Sequence, residues 1–289
     1  FIREQEGLKG EFYRYTGYLF LTYVAMLVLQ RMDFLMVSSM KGSADTGIYA
    51  IAVNMAVLIE IPTRSILQIA NPKLSEAIHA GDDKEIERLY QKTSLNQFIL
   101  GALALLLIWI NIDVFYHYMP NGHLYETGKW AVFYLGVGKL CVLLQGNSSA
   151  MLIFSKRYYL SLLINGISIV VGVLLNQYLI PIYGINGAAL ATGGVWLASG
   201  IVMAVLIYSV YGMQPITRGI LTSVLLFSGL FLLNHLWTVN SNFLLIESLG
   251  KSLLLMGTAM FMLLRFRLSD DVYSMAKKML ALIGIRLKD

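Results

Sequence analysis

Long apolar runs recur along the chain, each closed by a cluster of charge, Pro, Gly or Asn. They mark eight candidate spans at 17–40, 46–70, 94–118, 129–154, 158–181, 186–211, 217–237 and 243–265. Crossing ~30 Å of hydrocarbon at ~1.5 Å per residue takes about 20 mostly apolar residues, and every run is of that order. Two polar stretches break the rhythm. The first, NPKLSEAIHAGDDKEIERLYQKT (Asn71–Thr93), places a turn at Gly81-Asp82-Asp83. Asp82 or Asp83 then caps a helix through Lys84–Lys92, expected to lie as a short amphipathic element on the membrane surface. The second, Ser269–Asp289, repeats the theme. Ser269 is its cap, Val272, Met275, Ala276, Met279, Leu280 and Ile283 its apolar stripe, and Lys277 and Lys278 its polar face.

Composition turns this pattern into a class. The chain is 57% hydrophobic and 13% charged, where a soluble domain carries about 25% charged residues. An all-α integral membrane protein with about eight transmembrane helices is the expectation. The chain opens on Phe1 in a polar, basic stretch, FIREQEGLKGEFYR, with no signal-peptide pattern, and reads as an internal start with an upstream half missing. The lone Cys141 excludes an internal disulfide, and the four histidines lack metal-ligand spacing, so no metal and no cofactor is expected. Net charge is +5. Most of the 22 basic residues fall in 1–16, 71–93, 155–157, 212–218 and 265–289, alternate connections that the positive-inside rule makes cytoplasmic, with both termini inside. The excess is therefore a topology signal and argues against nucleic acid. There is no glycine-rich phosphate loop, GxSxG or HExxH, and nothing reads as an enzyme.

What remains is a set of polar residues at membrane depth. An ionisable side chain in lipid costs at least ~2.5 kcal/mol and should face a partner, a cavity or water. Arg31 and Asp33 sit in GYLFLTYVAMLVLQRMDFLMVSSM; being two apart they point to different helix faces and pair poorly. Asn54 reaches a similar depth on the next span and is a plausible neighbour of Arg31. Glu60 and Arg64 are spaced i, i+4 with the acid first, the favourable order for an intrahelical pair, with Pro62 between them breaking the helical ladder. Lys139, beside Gly136 and Gly138, lies near mid-bilayer with no acid one turn away; it faces a cavity or pairs across helices with an acid such as Glu60. Gln145 and Asn147 follow on the same span. Glu247 and Lys251 read as a self-neutralised structural pair. The candidate pathway is thus Arg31, Asp33, Asn54, Glu60, Arg64, Lys139, Gln145 and Asn147. Embedded bases outnumber embedded acids, which favours an anionic substrate such as a phosphate-bearing lipid head group.

Three stretches carry a resemblance. RMDFLMVSSMKGSADTGIYAIAVNMAVLIEIPTRSI resembles the seventh and eighth helices of polysaccharide flippases, NPKLSEAIHAGDDKEIERLYQKTS a cytoplasmic loop of theirs, and NQYLIPIYGINGAALAT the turn between their eleventh and twelfth helices. In order and at matching spacing, they make residues 10–265 similar to the polysaccharide-transporter branch of the multidrug/oligosaccharidyl-lipid/polysaccharide superfamily. The resemblance implies a second six-helix lobe of a MATE-like transporter at 17–211, two additional helices at 212–265, a lead-in at 1–16, an amphipathic tail at 266–289, and an N-terminal lobe absent from this sequence. It further implies alternating access in a bacterial cytoplasmic (inner) membrane. The substrate would be an undecaprenyl-pyrophosphate-linked oligosaccharide, flipped for O-antigen or related surface polysaccharide. Its partners would be that lipid, membrane lipids and other polysaccharide-assembly membrane proteins. Arg31 and Asp33 match an Arg-x-Asp that recurs in the seventh helix of such proteins.

Two other classes compete. A multidrug antiporter of the same superfamily, driven by Na⁺ or H⁺, would need unpaired membrane acids, and Glu60 has an in-helix partner while Asp33 lies toward the outer surface. A glycan polymerase would need large outer loops with catalytic residues. The outer loops here, 38–45, 119–128, 181–187 and 238–242, are too small.

Overall fold

The computed structural model describes residues 2–155, 157–237 and 244–266, with the single positions 268, 269, 271 and 273; side chains are described from Phe12 onward, Gln30 excepted. Every element among them is helical. Helix α1 runs Ile2–Lys41, α2 Ser43–Leu58, α3 Ile61–Ala80 and α4 Asp83–Tyr118. After a short α5 (Gly122–Tyr125) and a 3₁₀ turn (Glu126–Gly128) come α6 (Lys129–Leu143), α7 (Ser148–Ile153), α8 (Tyr159–Tyr183), α9 (Ile185–Tyr211), α10 (Arg218–Leu236) and α11 (Leu244–Arg265).

By length and composition, α1 from Phe12, α4, α8, α9, α10 and α11 are six candidate spans, and α2 with α3 makes a seventh bent by 45°. The bend falls where Pro62 withholds a backbone donor. There the ladder tightens: Glu60 N–H bonds the Val57 carbonyl at 3.0 Å and Thr63 N–H the Glu60 carbonyl at 3.0 Å. The expected run 129–154 is not one helix. It is divided between α6 and α7 by a turn through Leu144–Asn147 in which Gly146 takes φ 53°. A side chain at 146 would also meet the Ser94 backbone nitrogen at 2.8 Å.

Two connections are tighter than expected. Asn71–Thr93 holds no separate surface helix. Instead α3 continues through Pro72 to Ala80, turns at Gly81 (φ 69°), and α4 starts at once, with the Asp82 carboxylate accepting from Glu85 N–H at 3.1 Å. The apolar residues of this stretch face protein. Leu74, Ala77, Ile86, Leu89 and Tyr90 pack with Met151 and Leu152 of α7, Ile164 of α8, and Met203 and Ile207 of α9. The connection expected at 181–187 shrinks to the single residue Gly184 between α8 and α9. Its φ 59°, ψ −135° is a conformation essentially confined to glycine.

The bundle is built around α4 and α9. One core gathers Val37, Tyr49, Ala52, Met55, Ile112, Leu135, Ile180, Ile185 and Ala188 from α1, α2, α4, α6, α8 and α9. On its other side α4 packs Phe98, Ala102 and Leu106 against Phe227 and Leu230 of α10 and Leu255 and Ala259 of α11. Helices α6 and α9 meet at glycines: a Cβ on Gly138 would stand 2.7 Å from the Gly193 Cα. That is the small-residue contact by which membrane helices approach closely. The candidate spans bury only 28–44% of their most apolar windows, and large apolar side chains such as Leu225, Leu253 and Phe261 stand exposed, a surface suited to lipid. Lys251 donates to the Asn234 and Trp237 carbonyls at 2.9 and 2.7 Å, closing the C-terminal end of α10 in place of the i, i+4 partner expected for it. Of the amphipathic tail, only Ser269, Asp271 and Tyr273 are described; its stripe from Val272 to Ile283 and its lysines lie outside the described residues.

Candidate functional site

The eight polar candidates sort into two sets. Arg31 on α1, Asn54 on α2 and Arg64 on α3 are exposed, on three helices consecutive in the chain. Asp33 (3% exposed), Lys139 (8%) and Asn147 (1%) are buried inside the bundle, with Glu60 and Gln145 half-buried. The two-residue spacing of Arg31 and Asp33 accounts for their separation, about 200° around a helix. The Arg31 guanidinium lies 5.8 Å from the Phe34 ring centroid, and no carboxylate stands within 4.0 Å of Arg31 or Arg64 among the described residues. Nor does a hydrogen bond join Arg31 to Asn54, the neighbour expected for it.

The buried set forms two networks that both end on α9. In the first, the Asp33 carboxylate accepts from the Tyr49 hydroxyl of α2 at 2.6 Å, from the Phe34 backbone N–H at 3.0 Å and from the Thr192 hydroxyl of α9 at 3.4 Å. Phe34 packs edge-on against Tyr49, ring centroids 5.4 Å apart. This acid is therefore held by two hydroxyls in the packed core.

In the second network, Lys139 Nζ donates to Glu60 Oε1 at 2.6 Å and lies 4.2 Å from the Trp196 ring centroid of α9. Of the two arrangements open to Lys139, the inter-helix pair is the one formed, and Glu60 takes it in place of Arg64. The local sequence explains why. Glu60 sits in the bend, at the N-cap of α3, where its carboxylate meets α6 across the bundle. Gly136 and Gly138 let α6 close on α4 and α9, bringing Lys139 within reach; a Cβ on Gly136 would stand 2.5 Å from Leu105 Cδ1.

The α6–α7 break adds a third polar group. The Ser94 hydroxyl donates to the Leu144 carbonyl. Gln145 Nε2 lies beside Gly200 of α9. Asn147 is enclosed with neither amide atom hydrogen-bonded, as is the neighbouring Ser148 hydroxyl. Among the described residues, no group of three or more His, Cys, Asp or Glu side chains is placed to hold a metal ion.

A bundle of apolar helices with a proline-bent second span and a partly polar interior fits a family of membrane transporters, and the sequence model of the MatE family matches residues 19–179, more than half the chain. The chain belongs to the MatE family. No curated protein matches it. As a MatE protein it is a multi-pass membrane transporter of the multidrug/oligosaccharidyl-lipid/polysaccharide superfamily, whose members are generally transporters and not enzymes. The match spans α1 to most of α8, so the bent α2–α3 span, both buried networks' acids and the three exposed polar residues all lie within the MatE region. Tyr49, Thr192 and Trp196, which complete the MatE networks, were not among the sequence candidates. They lie 16, 159 and 57 residues from Asp33 and Lys139, and hydroxyls and an indole in apolar helices carry no spacing signal.

Proposed function

We propose that this MatE protein exports a lipid-linked oligosaccharide, carried on an anionic polyprenyl pyrophosphate, from the inner to the outer leaflet of a bacterial cytoplasmic membrane by alternating access. The observation that supports this reading is the sign of the exposed charges. Arg31 and Arg64 stand exposed on apolar helices, as does the Asn54 amide on the helix between them in the chain, while the nearest acids in sequence, Asp33 and Glu60, are turned inward and engaged. Facing lipid, each arginine would cost at least ~2.5 kcal/mol; facing a polar cavity shared with a second lobe, each supplies a planar donor array suited to phosphate oxygens. In this reading Arg31, Asn54 and Arg64 contact substrate, while Asp33, Glu60, Lys139, Gln145 and Asn147 shape the pathway's wall from behind.

The test is to purify the full-length transporter and identify co-purified lipids by mass spectrometry, in wild type and in Arg31→Gln/Arg64→Gln. A polyprenyl-pyrophosphate glycan held by wild type and lost from the double variant supports the proposal. Equal retention by both sinks it. A second reading, a cation-coupled multidrug antiporter, is favoured by one observation: the enclosed Asp33 carboxylate is held by hydroxyls rather than by a cationic side chain. Organic-cation binding that vanishes in Asp33→Asn, with no glycan lipid bound, replaces the first reading with the second.

A further inference from the structure

The α3–α4 hairpin encloses a groove of about 470 Å³ that belongs to neither network, within the ~300–1,000 Å³ range of small-ligand sites. Its lining changes character along its length. Residues equally distant from the Gly81–Asp82 turn lie opposite one another, so Lys73 faces the level of Arg88 and Leu89, and Pro62 the level of Leu100. At the hairpin end stand Lys73, Arg88 and Lys92; at the deep end the walls are Pro62, Ile66, Ile69 and Leu100. The apolar stretch is open sideways, since Ile69, one turn from Lys73, is 66% exposed.

The charges at the hairpin end are partly spoken for. Arg88 Nε and Nη2 hold Glu85 at 2.7 and 2.6 Å, and Lys92 holds Asp271 at 2.9 Å, which also accepts from Asn96 Nδ2 at 2.7 Å. Two carboxylates thus offset two of three cations. Lys73 has no carboxylate within 4.0 Å among the described residues, and Arg88 keeps unused donors on a side chain 59% exposed. The result is a cationic, donor-rich mouth continuous with an apolar trough open to the side. A free anion would use only the mouth and an alkane only the trough; a lipid with a phosphate head uses both.

We propose that this groove is a binding site for an anionic glycerophospholipid of the phosphatidylglycerol class, its phosphate at Lys73 and Arg88 and an acyl chain along Ile66, Ile69 and Leu100. The site is separate from the proposed export pathway and takes a lipid of the surrounding leaflet as a resident ligand, bracing the α3–α4 hairpin. Zwitterionic lipid of the same chain length lacks the net charge and is discriminated by the mouth alone.

Native mass spectrometry tests this on the delipidated, detergent-purified full chain, titrated with dioleoyl-phosphatidylglycerol, with dioleoyl-phosphatidylcholine, and with phosphatidylglycerol in excess inorganic phosphate. Wild type should take up one phosphatidylglycerol saturably, bind phosphatidylcholine at least tenfold more weakly, and keep its lipid in phosphate. Lys73→Gln/Arg88→Gln should weaken phosphatidylglycerol binding at least tenfold, and Ile69→Trp, which fills the trough at an exposed position and leaves every charge in place, should do so too. Arg31→Gln/Arg64→Gln should bind phosphatidylglycerol as wild type does, whatever its effect on the glycan lipid. Equal binding of the two lipids, displacement by phosphate alone, or unchanged binding in both groove variants overturns the site.

Discussion

The Glu60–Lys139 pair invites the most exacting test, because its geometry fixes both the sign and the size of the expected effects. The charges meet at 2.6 Å with side chains 24% and 11% exposed. At an effective dielectric constant of about 20 their gross attraction is roughly 6 kcal/mol, much of it offset by desolvation, so the informative quantity is the cost of leaving one partner alone. For buried pairs that is about 3–5 kcal/mol, and the residual exposure of Glu60 places this pair at the low end. Lys139→Met keeps the aliphatic stem, strips Glu60 of its ammonium, and also removes a cation held 4.2 Å from the Trp196 centroid, worth about 0.5–2 kcal/mol; a loss near 3 kcal/mol is expected. Glu60→Gln is milder, near 2 kcal/mol, because an amide oxygen and the indole face still serve the ammonium. The double variant leaves no uncompensated charge and should lose less than the sum by 2 kcal/mol or more. Thermal unfolding of the purified chain reads this directly, at about 2–4 °C per kcal/mol for chains of roughly this length. The single cysteine, Cys141, two residues from Lys139 and only partly accessible, gives an independent readout through its alkylation rate. Strictly additive single effects, or a Lys139→Met chain as stable as wild type, would refute the claim that this pair holds the bend to α6.

Two further substitutions isolate single causes. Gly138→Leu forces a side chain into the Gly193 backbone, where even a Cβ would sit 2.7 Å from Cα; the expected loss is at least ~3 kcal/mol, at or beyond the usual 1–3 for overpacking because backbone cannot yield as a side chain can, measured as lowered melting temperature and faster Cys141 alkylation. Gly184→Ala meets nothing within 4 Å, so only the backbone strain of φ 59°, ψ −135° is felt; a loss of about 1–3 kcal/mol is expected by the same thermal assay, and an unchanged chain would mean the turn has relaxed.

The helical class, the cap at Asp82 and the opposite facing of Arg31 and Asp33 were all readable along the chain, because each depends on neighbours within a turn or two. Two boundaries were not. Gly146-Asn147-Ser148-Ser149 carries a turn signature, but it lies inside an apolar stretch long enough to cross a bilayer, and total length masked the local break. The stripe through Leu74, Ala77, Ile86 and Leu89 is equally good for lipid or for protein, and only the packed partners on α7, α8 and α9 decide between them. Glu60 had a partner at i+4 in sequence and another 79 residues along the chain that the fold brings to it; the bend at Pro62, whose angle sequence does not specify, goes with the distant one. Which polar residues would face outward was likewise a matter of tertiary placement. Periodicity separated Arg31 from Asp33 but could not say which of the two faces would be covered.

Both buried networks converge on one stretch of α9. Thr192, which donates to Asp33, and Trp196, whose ring covers Lys139, are i, i+4 and share a helix face. Through Asp33 and Tyr49 that face is tied to α1 and to the first half of the bent span; through Lys139 and Glu60 it is tied to α6 and to the bend itself. Since α6 and α9 touch glycine to glycine at Gly138 and Gly193, they have no side-chain layer in which to slide. The first half of the α2–α3 span and the bend itself are therefore each tied by a polar side chain to this glycine-packed pair. A transporter that rocks between two states needs one element free to swing and another fixed to swing against. On the proposed alternating-access reading, Arg64 stands on α3 beyond the bend, Asn54 on α2 before it and Arg31 on the neighbouring α1. On that reading, rotation at Glu60 would alter the spacing of the two exposed arginines, one on each side of the bend in the chain.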